Sequence, residues 1–101
     1  MKTVNVTEVP QGAQLIDVRE PDEFAIAHAA GAVNLPLSNF VGLADKIDPD
    51  QDIYVICKSG GRSAHAAEYL EQARGWDNVI NVAGGTDAWL AADPVSYTHL
   101  R

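Results

Sequence analysis

The sequence has a single cysteine, few cations and no long apolar run. One thiol among 101 residues cannot form an intramolecular disulfide, so we expect a reducing compartment. Lys and Arg number 7 against 14 Asp and Glu, and the formal net charge of −7 argues against a general nucleic-acid or membrane-surface binder. No apolar run approaches the roughly 18 residues of a membrane span, and no apolar signal-peptide core follows the N-terminus. We expect a cytoplasmic protein.

Motifs for metals and nucleotides are also missing. Three histidines and one cysteine show no metal-ligand spacing. The segment 48–52, DPDQD, begins like a calcium-binding EF-hand loop, but Ile53 and Ser59 stand where that loop needs glycine and glutamate. The glycine patterns of P-loop and dinucleotide-binding domains are absent too. We therefore expect no metal site and no organic cofactor.

Strand and helix patterns alternate along the chain. Period-two or continuous apolar stretches predict strands, and apolar residues at helical spacing predict helices. This alternation predicts one α/β domain over 1–95, a three-layer α/β/α sandwich with a mostly parallel five-stranded sheet. The segment 96–101 has no periodicity, and we expect a frayed tail or a cloning remnant. The predicted strands are 3–7 (an edge strand), 14–18, 32–36, 53–57 (central) and 79–83, and the predicted helices are 21–30, 37–47, 63–74 and 86–92.

The only cysteine, Cys57, ends the central strand, where parallel sheets bind ligands. Gly60 and Gly61 allow a tight turn with positive φ, whose N–H groups can converge on an anion in front of the next helix. Such a site stabilises a thiolate, which is a nucleophile. Lys58 and Arg62 make the loop locally basic and suited to a small anion. The alternative is a buried, inert thiol, which the glycines and cations disfavour.

Three segments together resemble one protein family. The loop CKSGGRS (57–63) resembles the active-site loop C-x-x-G-x-R-S of rhodanese-type sulfurtransferases. The segment LIDVREPDEFAIAHAAGAVNLPL (15–37) and the segment NVINVAGGTDAW (78–89) resemble two further motifs of that family, in the same order. The resemblance covers about 15–95. Two departures, Ala27 in place of a common glycine and an extra residue within 70–75, lie outside the loop.

The resemblance implies that Cys57 is catalytic. Its Sγ would attack the sulfane sulfur of thiosulfate or a persulfide donor, carry it as a persulfide, and pass it to cyanide or a thiol acceptor. Thioredoxin or another sulfur-relay protein is a compatible partner. Lys58 would attract the anionic donor, while Arg62 would do the same or fix the loop by pairing with a carboxylate. The implied substrate-binding residues are Lys58, Ser59, Gly60, Gly61, Arg62 and Ser63.

Two other functions remain open at this level. Phosphatases or arsenate reductases on the same fold use C-x5-R, whereas Cys57 and Arg62 form the shorter C-x4-R, which suits one sulfur better than a tetrahedral oxyanion. A persulfide carrier or interaction domain without independent turnover would begin with the same persulfide on Cys57.

Residues upstream of the loop receive supporting or structural roles. Asp17 and Arg19 follow a strand near the same sheet edge. Asp17 either helps to orient the loop or is structural, whereas Arg19 is assigned to a structural ion pair with Glu20 and Glu23. His28 is expected to be structural or a helix cap, because an attacking thiolate needs no base.

Downstream residues are assigned in the same way. Ser63 is expected to donate its hydroxyl into the loop, to cap the helix, or both. His65 is expected on the surface and Trp89 in the core. Gly84 and Gly85 should form a tight turn near the pocket.

Overall fold

The computed structural model describes residues 1–92 and the backbone of 97–99. The strands are β1 (Lys2–Asn5), β2 (Gln14–Asp17), β3 (Ala27–Ala29), β4 (Val33–Asn34), β5 (Ile53–Ile56), β6 (Val79–Ala83) and β7 (Tyr97–His99). The helices are α1 (Pro21–Ile26), α2 (Phe40–Leu43), α3 (Gly61–Ala73) and α4 (Gly85–Ala92), with short 3-10 turns at Val6–Glu8, Leu37–Asn39 and Ala44–Lys46. In the part of the chain that is described, no helix is both long and apolar enough to cross a membrane.

A five-stranded parallel sheet organises the domain, which confirms the predicted architecture. Its order is β1-β6-β5-β2-β4, and every neighbouring pair runs parallel. All four residues of β5 are buried, as expected for a strand covered on both faces. The sheet therefore places the residue after β5 at the centre of its carboxyl edge, with β1 at the predicted outer edge.

Two apolar clusters pack against opposite faces of the sheet and complete the three layers. On one face, α2 and α3 cover side chains of β5 such as Val55. On the other face, Trp89 of α4 and residues of the first 3-10 turn pack near Tyr54 and Ile56. Because successive strand residues point to opposite faces, β5 contributes to both clusters.

Helix α1 is shorter than predicted. It ends at Ile26, and the following residues Ala27–Ala29 are extended as β3. A tertiary contact accounts for this end, because Arg19 Nη2 donates to the carbonyl oxygen of Ala27 at 2.7 Å. The helical pattern continues to residue 30, but this contact stabilises the extended chain.

Two further helix boundaries differ from the predictions. The predicted helix over 37–47 is one α-helical turn, α2, flanked by two 3-10 turns. Gly42 in α2 has low helix propensity, and Phe40, Ala44 and Ile47 are nevertheless buried on the predicted face. Helix α3 begins at Gly61, two residues before the predicted start.

The C-terminal segment is described only in part. Residues 97–99 of the expected frayed tail form β7, which pairs antiparallel with β3 and so differs from the expectation. The remainder of the predicted tail, residues 96 and 100–101, lies outside the described residues.

Candidate active site

Cys57 lies directly after β5, at the carboxyl edge of the parallel sheet. Only 1% of its surface is exposed. The chain turns at Gly60, whose φ of +116° belongs to the left-handed region that favours glycine. Helix α3 starts at the next residue, so its N-terminus faces the thiol. Gly61 has no positive φ, contrary to the expectation for both loop glycines.

Two donors lie against the sulfur. The backbone N–H of Gly60 points at Cys57 Sγ with an N–S distance of 3.0 Å. Ser63 Oγ lies 3.4 Å from the same sulfur and is fully buried. Because Gly60 caps α3, Ser63 is not the helix cap; its hydroxyl points into the loop. The turn thus directs backbone and side-chain donors onto one sulfur atom.

These donors lower the pKa of Cys57 below the ordinary thiol value. Burial acts in the opposite direction and is the largest single influence. Hydrogen bonds from the Ser63 hydroxyl and from the N–H groups of Ser63, Gly60 and Ser59 together outweigh it. The site therefore favours a negatively charged sulfur.

The N-terminus of α4 fixes the loop from behind. Thr86 donates to the carbonyl oxygen of Cys57 from its backbone N at 2.8 Å and from Oγ1 at 3.0 Å. The N–H of Asp87 donates to the carbonyl oxygen of Lys58 at 3.1 Å. Because C=O and N–H point oppositely across a trans peptide, holding the Lys58 carbonyl turns the N–H of Ser59 towards the sulfur.

This clamp explains the paired glycines before α4. Gly85 has a φ of +58°, and a Cβ there would lie 2.5 Å from the carbonyl oxygens of both Cys57 and Lys58. No side chain fits such a gap. The predicted tight turn of Gly84 and Gly85 beside the pocket is therefore confirmed.

Arg62 points to a carboxylate of α1. Its Nη1 and Nη2 donate to Glu23 Oε1 and Oε2 at 2.7 and 2.9 Å, a bidentate pair. The hydrogen bond from Arg62 is the main reason that the pKa of Glu23 falls from 4.5 to about 2. Of the two roles considered for Arg62, the structure shows the pairing that fixes the loop. Sequence reasoning did not identify Glu23 as its partner.

Lys58 is also paired. Its Nζ lies 2.8 Å from Asp87 Oδ2, and both side chains are more than half exposed. Asp87 therefore contacts Lys58 twice, through its carboxylate and through its backbone N–H. Both cations of the loop thus have carboxylate partners, which makes the rim less basic than the loop sequence alone indicates.

Asp17 and Arg19 form a buried pair beside the loop. Arg19 Nη2 lies 2.9 Å from Asp17 Oδ2, and Arg19 Nε lies 3.1 Å from both carboxylate oxygens. The side-chain partner of Arg19 is therefore Asp17, and the expected pairing with Glu20 and Glu23 was wrong. Arg62 senses Asp17 only at a distance: its pKa is raised mainly by the bond to Glu23, with smaller charge effects from Cys57 and Asp17.

Asn81 is a polar site residue that sequence reasoning missed. It lies on β6, is 7% exposed, and its Oδ1 accepts from Ser63 Oγ at 2.6 Å. Its Nδ2 is 3.4 Å from the carbonyl oxygen of Gly60. The one available signal was a polar residue within the otherwise apolar stretch VINVA.

The remaining candidates lie away from the sulfur chemistry. His28 Nδ1 lies 2.8 Å from the Phe24 carbonyl oxygen and its ring stacks on Phe24, a structural contact. His65 is exposed and Trp89 packs on the core, both as expected. The described residues contain no cluster of His, Cys, Asp and Glu that could hold a metal ion.

Fold and site together define a parallel α/β domain whose cysteine lies in a loop with hydrogen-bond donors directed at its sulfur. Residues 6–92 match the family model described as "Rhodanese-like domain". The chain belongs to the rhodanese-like domain family, as its motifs indicated.

Two curated relatives align with most of this chain. "Rhodanese-like/PpiC domain-containing protein 12, chloroplastic" of Arabidopsis thaliana is 44% identical over 81% of this chain and 29% of its own length. "Uncharacterized protein YqhL" of Bacillus subtilis (strain 168) is 40% identical over 88% of this chain and 72% of its own length. The chain therefore spans less than a third of the first relative and nearly three quarters of the second.

Solved structures share the fold. A rhodanese-like domain protein from Staphylococcus aureus has a TM-score of 0.80 at 32% identity, covering 88% of this chain and 91% of that one. A thiosulfate sulfurtransferase from Pseudomonas aeruginosa has a TM-score of 0.69 at 35% identity, and the match covers 79% of this chain and 15% of that one. An NAD-dependent persulfide reductase from A. fulgidus has a TM-score of 0.72 at 30% identity, and the match covers 87% of this chain and 16% of that one.

Proposed function

We propose that this protein is a sulfurtransferase that carries sulfane sulfur on Cys57 as a persulfide. The observation that carries the proposal is the pair of donors on Sγ, Gly60 N–H at 3.0 Å and Ser63 Oγ at 3.4 Å. Both donors stabilise a negative charge on Sγ, which is the charge of the attacking thiolate. Two structural neighbours, named as a thiosulfate sulfurtransferase and a persulfide reductase, support this chemistry.

The reaction has two displacement steps. The Cys57 thiolate attacks the outer sulfur of thiosulfate, a new S–S bond forms, the sulfur–sulfur bond of thiosulfate breaks, and sulfite leaves with the electron pair. The negative charge then lies on the outer sulfur of the persulfide. Cyanide or an acceptor thiolate takes that sulfur in the second step and restores the Cys57 thiolate. Charge and atoms balance in both steps without metal or cofactor.

Preorganised donors provide the catalysis. Loop N–H groups aimed at the sulfur act as an oxyanion hole does for oxygen, and they need no rearrangement as charge moves. The clamp of α4 on the carbonyls of Cys57 and Lys58 holds those peptides in place. Arg62 contributes through its bond to Glu23, which ties the start of α3 to α1.

A persulfide carrier is the second candidate. It is favoured by the pairing of Lys58 with Asp87 and of Arg62 with Glu23. Paired cations attract free thiosulfate less than unpaired ones would. A donor that brings its sulfur on a thiol, such as a partner protein or glutathione persulfide, depends less on that attraction. Under this proposal, sulfur loads on Cys57 but turnover requires the partner.

A phosphatase or arsenate reductase activity has less support. Such enzymes need the loop arginine to bind a tetrahedral oxyanion, whereas Arg62 is bound through both terminal nitrogens to Glu23. The loop between Cys57 and Arg62 is also one residue shorter than in those relatives.

Thiocyanate formation from cyanide tests the proposal. With thiosulfate as donor, a sulfurtransferase releases many equivalents of thiocyanate per protein, and Cys57→Ser releases none. A carrier loads sulfur from glutathione persulfide but releases no more than one equivalent of thiocyanate per protein when thiosulfate is the donor. If the wild type hydrolyses an aryl phosphate and forms no thiocyanate, both the sulfurtransferase and the carrier proposals are overturned.

A further inference from the structure

Burial of the Asn81 side-chain amide in a strand costs folding free energy. It occupies β6 between Ile80 and Val82, and a buried amide must find hydrogen bonds or lose stability. Its partners are both parts of the cysteine loop: the Ser63 hydroxyl and the Gly60 carbonyl. The strand register places Asn81 beside Val55, two residues before Cys57. Among the described residues, the side chain of Asn81 hydrogen-bonds to this loop and to nothing else, which points to a role in the chemistry of the loop.

Ser63 has one hydroxyl proton and several acceptors. Its Oγ lies 2.6 Å from Asn81 Oδ1, 3.1 Å from the Gly60 carbonyl oxygen and 3.4 Å from Cys57 Sγ. A hydroxyl donates one hydrogen bond at a time. Once Cys57 is a thiolate, the Ser63 hydroxyl donates to the sulfur. While Cys57 is a neutral thiol, the shortest contact takes the Ser63 proton to Asn81 Oδ1, and the thiol can donate to Ser63 Oγ. The chain of hydrogen bonds then runs from sulfur to amide.

We propose that Asn81 is a positioning residue whose side-chain amide flips when Cys57 ionises. The flip exchanges Oδ1 and Nδ2 and so reverses the direction of the hydrogen bonds through Ser63. A thiolate needs the hydroxyl proton of Ser63. Ser63 Oγ would then face Asn81 Oδ1 at 2.6 Å with no proton between the oxygens. Rotation of the amide replaces Oδ1 by Nδ2, which donates to Ser63 Oγ. This inference deepens the proposed function, because it concerns the thiolate on which sulfur transfer rests.

The proton of Cys57 leaves for solvent, Ser63 keeps its one hydroxyl proton, and Asn81 keeps both amide protons. Rotation loses the contact from Asn81 Nδ2 to the Gly60 carbonyl oxygen, which at 3.4 Å is already long, and leaves Asn81 Oδ1 facing that oxygen instead. An amide can both donate and accept. An ionised aspartate at the same position could accept but not donate, and leucine could do neither.

Within the part of the chain that the structure describes, the charged groups around Cys57 form three ion pairs. They are Asp17 with Arg19 after β2, Glu23 of α1 with Arg62 of α3, and Lys58 with Asp87 of α4. Substitutions at Ser63 and Asn81 leave all three pairs in place. A change in the titration of Cys57 in such variants can therefore be assigned to the hydrogen-bond chain and to any charge introduced at residue 81.

A double-mutant cycle on the full chain tests the inference. The ultraviolet absorbance of the thiolate is followed against pH in the wild type, Asn81→Asp, Ser63→Ala and the double variant. Cys57 is the only thiol, and the contribution of the three tyrosines is subtracted with Cys57→Ser. Asn81→Asp should move the thiolate transition to higher pH. In the Ser63→Ala background the same substitution should move it at most about half as far, because only its charge still acts.

Equal shifts in both backgrounds would overturn the proposal, since charge alone would then explain them. Thermal melting shows whether each variant folds.

A second measurement needs no change at residue 81. The NMR signals of the Asn81 side-chain amide in the wild type should move with the Cys57 titration and stay constant in Ser63→Ala. Signals that ignore the titration would overturn the proposal. Neither readout requires sulfur transfer, so failure of the proposed function is seen separately.

Discussion

The guanidinium of Arg62 donates two hydrogen bonds, 2.7 and 2.9 Å long, to the carboxylate of Glu23, which lies 39 residues earlier in the sequence. This pair joins the first turn of α3 to the first turn of α1. The N–H groups of that turn of α3 face the sulfur, so the pair fixes the geometry of the thiolate site as well as contributing to stability.

Glu23→Gln tests the strength of that pair. The amide cannot reproduce the charge-assisted bidentate contact. Because each side chain is about one third exposed, we expect a loss of about 1 kcal/mol in the free energy of unfolding at neutral pH. Asp45→Asn, at the exposed pair with Arg74, is the control and should change stability much less. Equal effects of the two substitutions in denaturant titrations would contradict the assignment.

Acid titration gives the same pair a distinct signature. The pKa of Glu23 is about 2 in the folded protein, against 4.5 as its ordinary value. Because the folded value is the lower one, the contribution is complete above about pH 4.5 and is lost as pH falls towards about 2. Denaturation of the wild type should therefore steepen over this interval relative to Glu23→Gln. Parallel profiles would remove the pair from the acid response.

Ser63→Ala should raise the pKa of Cys57. Burial of Cys57 already acts in that direction, and the variant removes the strongest opposing hydrogen bond. At neutral pH we expect sulfur loading to slow by about tenfold, because hydrogen bonds to charged groups contribute about 1.5–3 kcal/mol. The pH dependence of alkylation measures the pKa directly. An unchanged profile would mean that the Ser63 hydroxyl does not support the thiolate.

Asp87→Asn should free Lys58 for an anionic donor. An exposed ion pair contributes about 0.2–1 kcal/mol, so the KM for thiosulfate should fall by up to about fivefold, while kcat stays constant. Lys58→Ala should raise KM instead. Asp45→Asn serves again as a control that removes one negative charge elsewhere. If both variants at the loop leave KM unchanged, Lys58 takes no part in donor binding.

Gly85→Ala should damage both stability and transfer. Its Cβ would lie 2.5 Å from the carbonyl oxygens that α4 clamps. Gly75 has a similar φ of +70° but open space around it, so Gly75→Ala isolates the backbone cost. We expect about 1 kcal/mol for Gly75→Ala and about 3 kcal/mol or more for Gly85→Ala. Similar melting temperatures for the two would contradict the close approach.

Local patterns were enough to predict the sheet and the loop. Continuous apolar residues in β5 identify a buried parallel strand, and the thiol at its end lies where ligands of such sheets bind. The end of α1 could not be predicted in this way. It depends on the bond from Arg19 to the Ala27 carbonyl, a tertiary contact that overrides helical periodicity.

The partners of the loop cations could not be predicted either. Glu23 lies 39 residues from Arg62, and Asp87 lies 29 residues from Lys58. With 14 acidic residues in the chain, no spacing rule selects these two. Asn81 left only a weak signal, because a single polar residue in an apolar strand can equally be a bulge or an edge position.

Intact mass of the reduced protein, before and after thiosulfate and then after cyanide, tests the central claim most directly. Persulfide chemistry predicts a gain of one sulfur atom on the wild type, its removal by cyanide, and no gain on folded Cys57→Ser. A wild-type mass that stays unchanged with both thiosulfate and glutathione persulfide would contradict sulfur transfer through Cys57.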